Sequence, residues 1–290
     1  MFEGVIAAIV TPFREDGSID GKGLADLVEF LVGSKVDGIV PCGTTGESAT
    51  LTHDEHRTVV SAVVEAARRR VPVIAGTGSN STAEAVALTR FAQDAGADGA
   101  LVITPYYNRP SQEGLYRHFK AVADASPLPI VLYDVPSRTA CHLEPETAAR
   151  IAESKNVVAI KEASGSLDAV SRLRAATSLS ILSGDDSLTL PALALGAVGV
   201  VSVAANVAPA PLVEMVKRFR AGDTRRALEL HDRLFPLFRA LFVETNPVPV
   251  KTALRLMGRG TGVVRLPLAP LSPQNEERLR AVLAEGGFLA

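Results

Sequence analysis

The chain has 290 residues, 47% of them hydrophobic, and a formal net charge of -2 at pH 7. This length and composition allow one large domain or two small ones, with a sizeable core in either case. The balanced charge, without a long run of one sign, gives little support to nucleic-acid binding, and we expect no nucleic-acid partner.

Two further features narrow the class of protein. The first residues, up to Pro12, lack a basic start, and their apolar run is too short for a secretory signal or a membrane span. The two cysteines, Cys42 and Cys141, are far apart and have no histidine at metal-ligand spacing. Neither a disulfide framework nor a zinc site is indicated, and we expect a cytoplasmic protein that does not contact a membrane.

Apolar runs typical of buried strands recur along the chain, and a helix-like segment follows each of them. The runs begin near Val5, Gly38, Val71, Gly99, Pro129, Val157, Leu179 and Gly199. The intervening helical patterns cover residues 23–34, 53–70, 81–95, 112–125, 144–154, 166–177, 187–195 and 209–220. Eight such units predict an α/β fold, a (β/α)8 TIM barrel, because an open doubly wound sheet normally stops near about six strands.

The chain continues beyond the predicted barrel with three more helical patterns. These cover residues 224–243, 248–257 and 273–285, and no Ser- or Gly-rich linker precedes them. We therefore predict a catalytic barrel over residues 1–222 and a C-terminal helical region over residues 223–290 that packs on it. The expected role of this region is to support assembly and not to take part in the chemistry.

The run Val-Val-Ala-Ile at residues 157–160 leads directly into Lys161. Its lack of helical spacing and its polar boundaries predict a fully buried parallel strand. Burial favours the neutral amine, which is the form that attacks a carbonyl group to make a Schiff base. The alternative is a lysine at the solvent-exposed (wet) end of the strand, paired with Glu162 or another acid.

In a barrel of this kind the active site lies at the C-terminal ends of the strands, which directs attention to the loops there. The loop after the second strand reads Gly-Thr-Thr-Gly-Glu-Ser at residues 43–48, and its amides and hydroxyls could hold a carboxylate. It is not a phosphate loop, because no Gly-Lys-Ser/Thr follows. An ordinary βα turn is the alternative.

Tyrosines and an arginine follow the fourth and fifth predicted strands. Tyr106 and Tyr107 are adjacent in a proline-flanked loop, where packing is a commoner role than catalysis. Tyr133 ends the fifth strand beside the strand of Lys161, and a phenol near an amine can shuttle protons. Arg138 offers a fork for a carboxylate, with an ordinary surface arginine as the alternative.

His53 and His56 have a spacing that resembles a metal site. However, the sequence from Thr52 to Glu55 has the form of a helix capping box, and no third ligand is nearby. We therefore predict no metal site. The Gly-Asp-Asp sequence at residues 184–186 is either a turn or an acid pair at the border of the site.

Taken together, these motifs resemble the 4-hydroxy-tetrahydrodipicolinate synthase (dihydrodipicolinate synthase) family, which belongs to the superfamily of Schiff-base-forming pyruvate aldolases and N-acetylneuraminate lyases. The resemblance runs from the N-terminus to the last helices. The motifs that carry it are the sequences at 43–48, 106–110, 133–139, 160–163 and 183–186. It implies condensation of pyruvate with L-aspartate 4-semialdehyde, a step of diaminopimelate and lysine biosynthesis.

The resemblance also implies roles for the catalytic residues. Lys161 would form the Schiff base with pyruvate, and Tyr133 would donate and accept protons. Thr44 and Tyr107 would complete a proton relay, with Tyr107 entering from the neighbouring subunit. No cofactor is implied, because the protonated imine is itself the electron sink.

Substrate contacts and assembly follow from the same resemblance. Thr45 and the backbone at Val203 would contact pyruvate, and Arg138 would hold the carboxylate of the semialdehyde. The donation of a tyrosine between subunits implies a homo-oligomer, a dimer at minimum and usually a tetramer built from dimers.

A regulatory site is implied as well, because feedback-regulated members of the family bind L-lysine at the dimer interface. The matching residues here are Ala49, His53, His56, Asn80, Glu84 and Tyr106. All have compatible side chains, so inhibition by L-lysine is a hypothesis for this chain.

One residue departs from the family pattern. Asp134 follows Tyr133, where the family usually has asparagine. Because successive side chains of a strand point to opposite faces, Asp134 is expected to face away from Tyr133 and to have a small effect on activity.

Two other functions are kept as alternatives. Another pyruvate-dependent aldolase, such as N-acetylneuraminate lyase or a keto-deoxy sugar-acid aldolase, would share Lys161 and Tyr133 but would need hydroxyl-binding groups in place of Arg138. A non-catalytic keto-acid sensor is the third candidate, although it would have no need of a buried nucleophile and a proton relay.

Overall fold

Eight parallel strands form one sheet in the computed structural model, which describes residues 2–289. They are β1 (Gly4–Ala8), β2 (Gly38–Val40), β3 (Ile74–Gly76), β4 (Gly99–Ile103), β5 (Ile130–Asp134), β6 (Val157–Glu162), β7 (Ser180–Ser183) and β8 (Gly199–Ser202). Their order in the sheet is β2-β1-β8-β7-β6-β5-β4-β3. A parallel bridge between Ile39 and Val73 joins the two outermost strands and completes the predicted TIM barrel.

The third strand begins later than the apolar run predicts. The run begins at Val71, but Pro72 has no amide hydrogen for a strand ladder. The amide of Val73 donates to Asp98 Oδ2 at 2.8 Å, so it is not available to a neighbouring strand. Regular pairing therefore starts at Ile74, with Gly99 of β4 as its partner.

Side chains alternate between the barrel interior and the surrounding helices with the two-residue period of a strand. On β5, Tyr133 belongs to the interior cluster, whereas Leu132 packs with the helices. On β6, Ala159 belongs to the interior and Ile160 packs with the helices. Lys161 therefore faces the interior at the C-terminal end of its strand, which is where a TIM barrel holds its active site.

Helices connect the strands and cover the outside of the barrel. They are α1 (Gly21–Gly33), α2 (His53–Ala67), α3 (Thr82–Asp94), α4 (Gln112–Ala125), α5 (Pro136–Thr139), α6 (Pro145–Ile151), α7 (Leu167–Ala176), α8 (Thr189–Ala194), α9 (Pro209–Arg220), α10 (Thr224–Ala240), α11 (Val248–Leu256) and α12 (Pro273–Glu285). Each of the eleven predicted helices is present, with ends displaced by a few residues in several cases. The one-turn helix α5 was not predicted, because a single turn is too short to produce a helical period.

The capping box predicted at the start of α2 is confirmed. Thr52 Oγ1 accepts a hydrogen bond from the amide of Glu55 at 3.2 Å, and Glu55 Oε2 accepts one from the amide of Thr52 at 2.9 Å. These two bonds satisfy amides that an α-helix leaves without intrahelical partners. The residues His53–Glu55 thus begin a helix and do not form a metal loop.

The three C-terminal helices pack on one another and on the barrel. α10 packs along α9, the last helix of the barrel, and α12 packs on α10 and α11. The loops next to these helices reach the C-terminal ends of the strands. The division into residues 1–222 and 223–290 stays a prediction about domain organisation. None of the helices within residues 2–289 is both long enough and apolar enough to cross a membrane.

Candidate active site

Lys161 and Tyr133 form the centre of the site. The two residues are direct partners in the register of β5 and β6, and each is only 6% exposed. The amine Nζ of Lys161 lies 4.1 Å from the centroid of the Tyr133 ring. The predicted convergence of these side chains is therefore present, and the wet-end alternative for Lys161 is wrong.

Space for the lysine depends on a glycine of the next strand end. A Cβ atom at Gly184 would stand 3.0 Å from Cε of Lys161 and 2.5 Å from Cβ of Ala163. Any larger residue would push into the lysine side chain. Burial raises the pKa of the neighbouring Asp185 carboxyl, and the charge of Lys161 opposes the rise. Asp185 thus borders the centre, as one of the two interpretations of the Gly-Asp-Asp motif expected.

The loop at residues 43–48 lies beside this centre. Thr44 is half-buried on the cavity wall, and Thr45 is buried behind it. Asn246 Nδ2 donates a hydrogen bond to Thr45 Oγ1 at 3.0 Å. The Oδ1 atom of the same Asn246 is buried and has no hydrogen-bond partner within the described part of the chain.

Arg138 lies at the rim of the same cavity. It belongs to α5, the one-turn helix that follows β5, and its side chain is exposed. Its Nη2 atom donates to the backbone oxygen of Asn246 at 3.4 Å, which is a long hydrogen bond. The guanidinium group therefore has free donors that face the entrance.

Val203 is placed by a buried carboxyl group. Asp186 Oδ2 accepts hydrogen bonds from the amides of Val203 at 3.1 Å and Ala204 at 2.9 Å, and its Oδ1 accepts one from the hydroxyl of Ser202. Burial raises the pKa of Asp186 to about 6, while these donors oppose the rise. The second acid of the Gly-Asp-Asp motif thus shapes the backbone after β8.

A cavity of about 460 Å³ extends from the barrel mouth to a second set of polar residues. At the barrel mouth its wall is formed by Thr44, Tyr133, Arg138, Thr245 and Asn246. At the other end its wall is formed by Ala49, His53, His56, Glu84 and Tyr106. Five of the six residues of the predicted lysine site therefore share one end of the cavity.

That second end carries one exposed acid–base pair and one buried imidazole. His53 Nε2 lies 3.0 Å from Glu84 Oε1, and the hydroxyl of Ser79 donates to Glu84 Oε2. His56 Nε2 lies 2.8 Å from the carbonyl oxygen of Gly76, while its buried Nδ1 has no partner among residues 2–289. Burial lowers the pKa of His56 and favours the neutral ring. Within residues 2–289, no cluster of three or more His, Cys, Asp or Glu side chains could hold a metal ion.

Five of the predicted site residues do not form part of the cavity wall: Lys161, Thr45, Val203, Asn80 and Tyr107. The carbonyl of Asn80 accepts a hydrogen bond from Asn108 Nδ2 at 2.8 Å, which ties the tyrosine loop to the start of α3. Tyr107 is 89% exposed, has a positive φ of 74° and does not line the cavity. The structure thus brings Lys161, Tyr133, Thr44 and Arg138 together but does not bring Tyr107 to them.

The departure at Asp134 has the predicted orientation. Asp134 Oδ2 lies 2.5 Å from His142 Nδ1, and its Oδ1 accepts the amide of Leu143 at 3.1 Å. These partners lie behind the barrel wall. Burial raises the pKa of Asp134 to about 6, and the charge of His142 opposes the rise.

The C-terminal region contributes residues to the surroundings of the site, whereas its sequence predicts only a role in assembly. Besides Asn246, this region supplies Lys251, whose ammonium group forms a buried ion pair with Glu47 of the 43–48 loop. Lys251 Nζ also donates to the carbonyl of Val263 at 2.9 Å and lies 3.9 Å from the centroid of the Phe13 ring. A lysine within a helical pattern gives no sequence signal for such a distant partner.

The comparisons with known proteins agree on one family. The model of the dihydrodipicolinate synthetase family matches residues 1–285. A 4-hydroxy-tetrahydrodipicolinate synthase of Methanothrix thermoacetophila is 60% identical over 288 residues, which cover 98% of this chain and 97% of that protein.

Solved structures give the same result. The chloride-inhibited dihydrodipicolinate synthase of Acinetobacter baumannii, complexed with pyruvate, has a TM-score of 0.98 at 45% identity and covers 100% of both chains. The enzyme of Cyanidioschyzon merolae, with lysine bound, has a TM-score of 0.97 at 44% identity and covers 99% of both.

We expect the buried Glu47–Lys251 pair to be needed for stability. Burial lowers the pKa of Lys251 to about 8, and Glu47 opposes that shift. In Glu47→Gln the ammonium group loses its counter-charge, so the free energy of unfolding should fall by about 3 kcal/mol at pH 6. Above pH 8 both folded forms hold the neutral amine, so the difference should shrink at pH 9. Denaturant unfolding at both pH values measures this.

The matched control is Glu29→Gln, which removes an exposed carboxylate paired with Arg70. Such surface pairs contribute at most about 1 kcal/mol, so this variant should unfold nearly as the parent does. Equal losses in the two variants at pH 6 would contradict the assignment.

Proposed function

This chain belongs to the dihydrodipicolinate synthetase family, and we propose that it condenses pyruvate with L-aspartate 4-semialdehyde through a Schiff base on Lys161. The observation that carries the proposal is the buried Lys161 at the end of β6, with its amine 4.1 Å from the centroid of the Tyr133 ring. A buried amine beside a phenol that lines the cavity suits imine formation with a keto acid.

The first half of the reaction uses pyruvate alone. The Lys161 amine attacks the keto carbon, and loss of water gives a protonated imine. A proton then leaves the methyl carbon, and the electron pair moves into the imine to give an enamine. Tyr133 takes and returns protons in these steps, and Thr44 lies on the same cavity wall. Thr45 and the backbone of Val203 contact pyruvate.

The second half forms the carbon–carbon bond and the ring. The enamine carbon attacks the aldehyde carbon of the semialdehyde, whose oxygen takes a proton. The amino group of this substrate then attacks the imine carbon, closes the ring and displaces Lys161 as a free amine. No cofactor enters this scheme, and the absence of one stays part of the proposal.

The rim of the cavity suits the second substrate. Arg138 has free guanidinium donors for its carboxylate, in the planar fork that favours two parallel hydrogen bonds. Asn246 lines the same cavity beside Arg138. A sugar-acid aldolase would need acceptors and donors for several hydroxyl groups instead. This difference favours the synthase over the aldolase.

Assembly into a dimer follows from the position of Tyr107. An aromatic ring that is 89% exposed on a loop with a positive φ is an unusual surface feature for a lone subunit. We propose that it enters the active site of the neighbouring subunit and completes the relay there. A tetramer built from two such dimers and a cytoplasmic location complete this proposal.

The other end of the cavity suits L-lysine as an effector. The carboxylate of Glu84 can pair with an ammonium group, and it is already oriented by His53 and Ser79. His56, Ala49 and Tyr106 line the same end, and Asn80 lies beside it. An ammonium and a carboxylate on a flexible apolar stem would therefore find partners here.

The first test is substrate turnover. Purified protein should consume pyruvate rapidly with L-aspartate 4-semialdehyde and not with N-acetylmannosamine. Borohydride should trap pyruvate on the parent protein, because it reduces the imine. Lys161→Ala should lose both trapping and at least about a thousandfold in rate, since it lacks the nucleophile. Turnover only with the sugar would favour the aldolase, and binding without turnover of either would favour the sensor.

The second test is complementation between subunits. Lys161→Ala and Tyr107→Phe should each be nearly inactive alone. When they are coexpressed, half of the random dimers are mixed, and each mixed dimer holds one site with both native residues. Activity should return to about one quarter of the parent value. No recovery in mixed dimers, verified by tags of different mass, would place Tyr107 in the site of its own chain.

The third test is feedback inhibition. L-lysine should inhibit the parent, and Glu84→Gln should raise the inhibition constant by about tenfold or more, because the ammonium group loses its charged partner. The control Glu276→Gln, on α12, removes a carboxylate paired with Arg255 far from this cavity and should leave the inhibition constant unchanged. Equal sensitivity of the parent and Glu84→Gln would contradict this use of the site.

A further inference from the structure

The segment at residues 135–141, which carries Arg138, is fastened at its far end to the strand from which it starts. We propose that Asp134 and His142 form a positioning pair that holds this segment, and through it Arg138, in place for the second substrate. The inference rests on the proposed function and assigns a role to two residues that do not touch the reacting atoms.

The carboxyl group of Asp134 makes the fastening. It is 2% exposed, and its two oxygens contact two consecutive residues, His142 Nδ1 at 2.5 Å and the amide of Leu143 at 3.1 Å. Asp134 itself is held in the sheet, where its backbone oxygen accepts the amide of Ala163 at 2.9 Å. The Asp134 side chain thus joins the residue before the segment at 135–141 to the two residues after it.

Two hydrogen bonds with Gln112 of α4 hold the chain at His142 and Glu144 as well. The carbonyl of His142 accepts a hydrogen bond from Gln112 Nε2 at 2.7 Å, and Gln112 Oε1 accepts the amide of Glu144 at 3.2 Å. His142 is therefore fixed through its ring to the barrel and through its backbone to α4. Its side chain is 33% exposed, which leaves the ring as the outer member of the pair.

Arg138 depends on this fastening because its own contacts are weak. Its only hydrogen bond within residues 2–289 that involves the side chain is the 3.4 Å contact with the backbone of Asn246. The helix α5 has a single turn and ends at Thr139, and the next residue, Ala140, has a left-handed φ of 57°. Such a short element does not stabilise itself. Besides the hydrogen bond that Thr104 Oγ1 donates to the buried Thr139 at 3.2 Å, the positions of its ends determine where the guanidinium group lies.

Asp134 and His142 depend on each other because of the charges around the Asp134 carboxyl group. Glu162 is its register partner on β6 and Glu144 follows the segment, and both add negative charge. Among the charged groups that face this carboxyl, His142 is the one whose charge favours ionisation. Asparagine, the usual residue at this position in the family, carries no charge and avoids the repulsion from the two glutamates. This chain has an aspartate, and the imidazole of His142 is its matching partner.

This dependence predicts an order among three variants. His142→Ala leaves a buried carboxylate near Glu162 without its partner, so it should raise the KM for the semialdehyde by about tenfold. Asp134→Asn keeps an acceptor for Leu143 and a donor for a neutral imidazole, so it should stay within about twofold of the parent. The double variant should lie between them, because its buried group is uncharged.

The experiment measures steady-state kinetics for both substrates together with borohydride trapping. A positioning role predicts a change in the KM for the semialdehyde alone, with the KM for pyruvate and the trapping of pyruvate on Lys161 unchanged. His231→Ala, which removes a half-buried histidine on α10 far from the mouth, is the control and should match the parent.

The outcomes separate this inference from the proposed function. A parent protein without synthase activity would overturn the proposed function, whereas an active parent with an unchanged KM in His142→Ala would overturn only the inference. An equal change in both KM values, or a double variant worse than His142→Ala, would also overturn it. If His142→Ala does not fold, a tenfold or larger change of activity in Asp134→Asn would still contradict it.

Discussion

The register of two neighbouring strands is the constraint on which the site depends. Tyr133 and Lys161 are paired across β5 and β6, and the two-residue period turns both into the barrel. A shift of one residue in β6 would exchange the lysine for Ile160 or Glu162 and would put its ammonium group among the helices. The apolar residues that alternate below the lysine therefore do more than fill the core. They determine which face of the strand the nucleophile occupies.

The loop at residues 43–48 depends on a different part of the chain. Its Glu47 has a left-handed φ of 53° and forms the buried pair with Lys251. Arg265 lies in the loop after α11. Its backbone amide donates to the same Glu47 carboxylate at 3.1 Å, and its side chain pairs with Glu55 at the start of α2. The loop and the start of α2 are thus held by residues from the last quarter of the chain. The C-terminal region is part of the wall of the active site as well as a cover for the barrel.

The same loop joins the two ends of the cavity. Thr44 stands at the mouth, and Ala49 stands at the end that carries His53 and Glu84. Only a few residues separate these positions, and the buried Glu47 lies between them. A ligand at one end therefore acts on a short segment that also carries a residue of the other end. Energetic coupling requires an element that both sites contact, and the segment from Thr44 to Ala49 is the element that would couple the proposed effector site to the active site.

The sequence predicts what is periodic and local, and it fails where partners are distant in the chain. The eight strands, the capping box at Thr52 and the convergence of Tyr133 with Lys161 follow from spacing and from the rule that strand ends hold the site. The bond between Asn246 and Thr45 joins residues about two hundred positions apart, and neither residue has a pattern that indicates it. The orientation of Asp134 was predictable from alternation, but its partner was not, because the path of the chain from Val135 to His142 includes a one-turn helix without a period. Local patterns thus position the nucleophile, whereas the residues that hold its surroundings become visible only when the chain is folded.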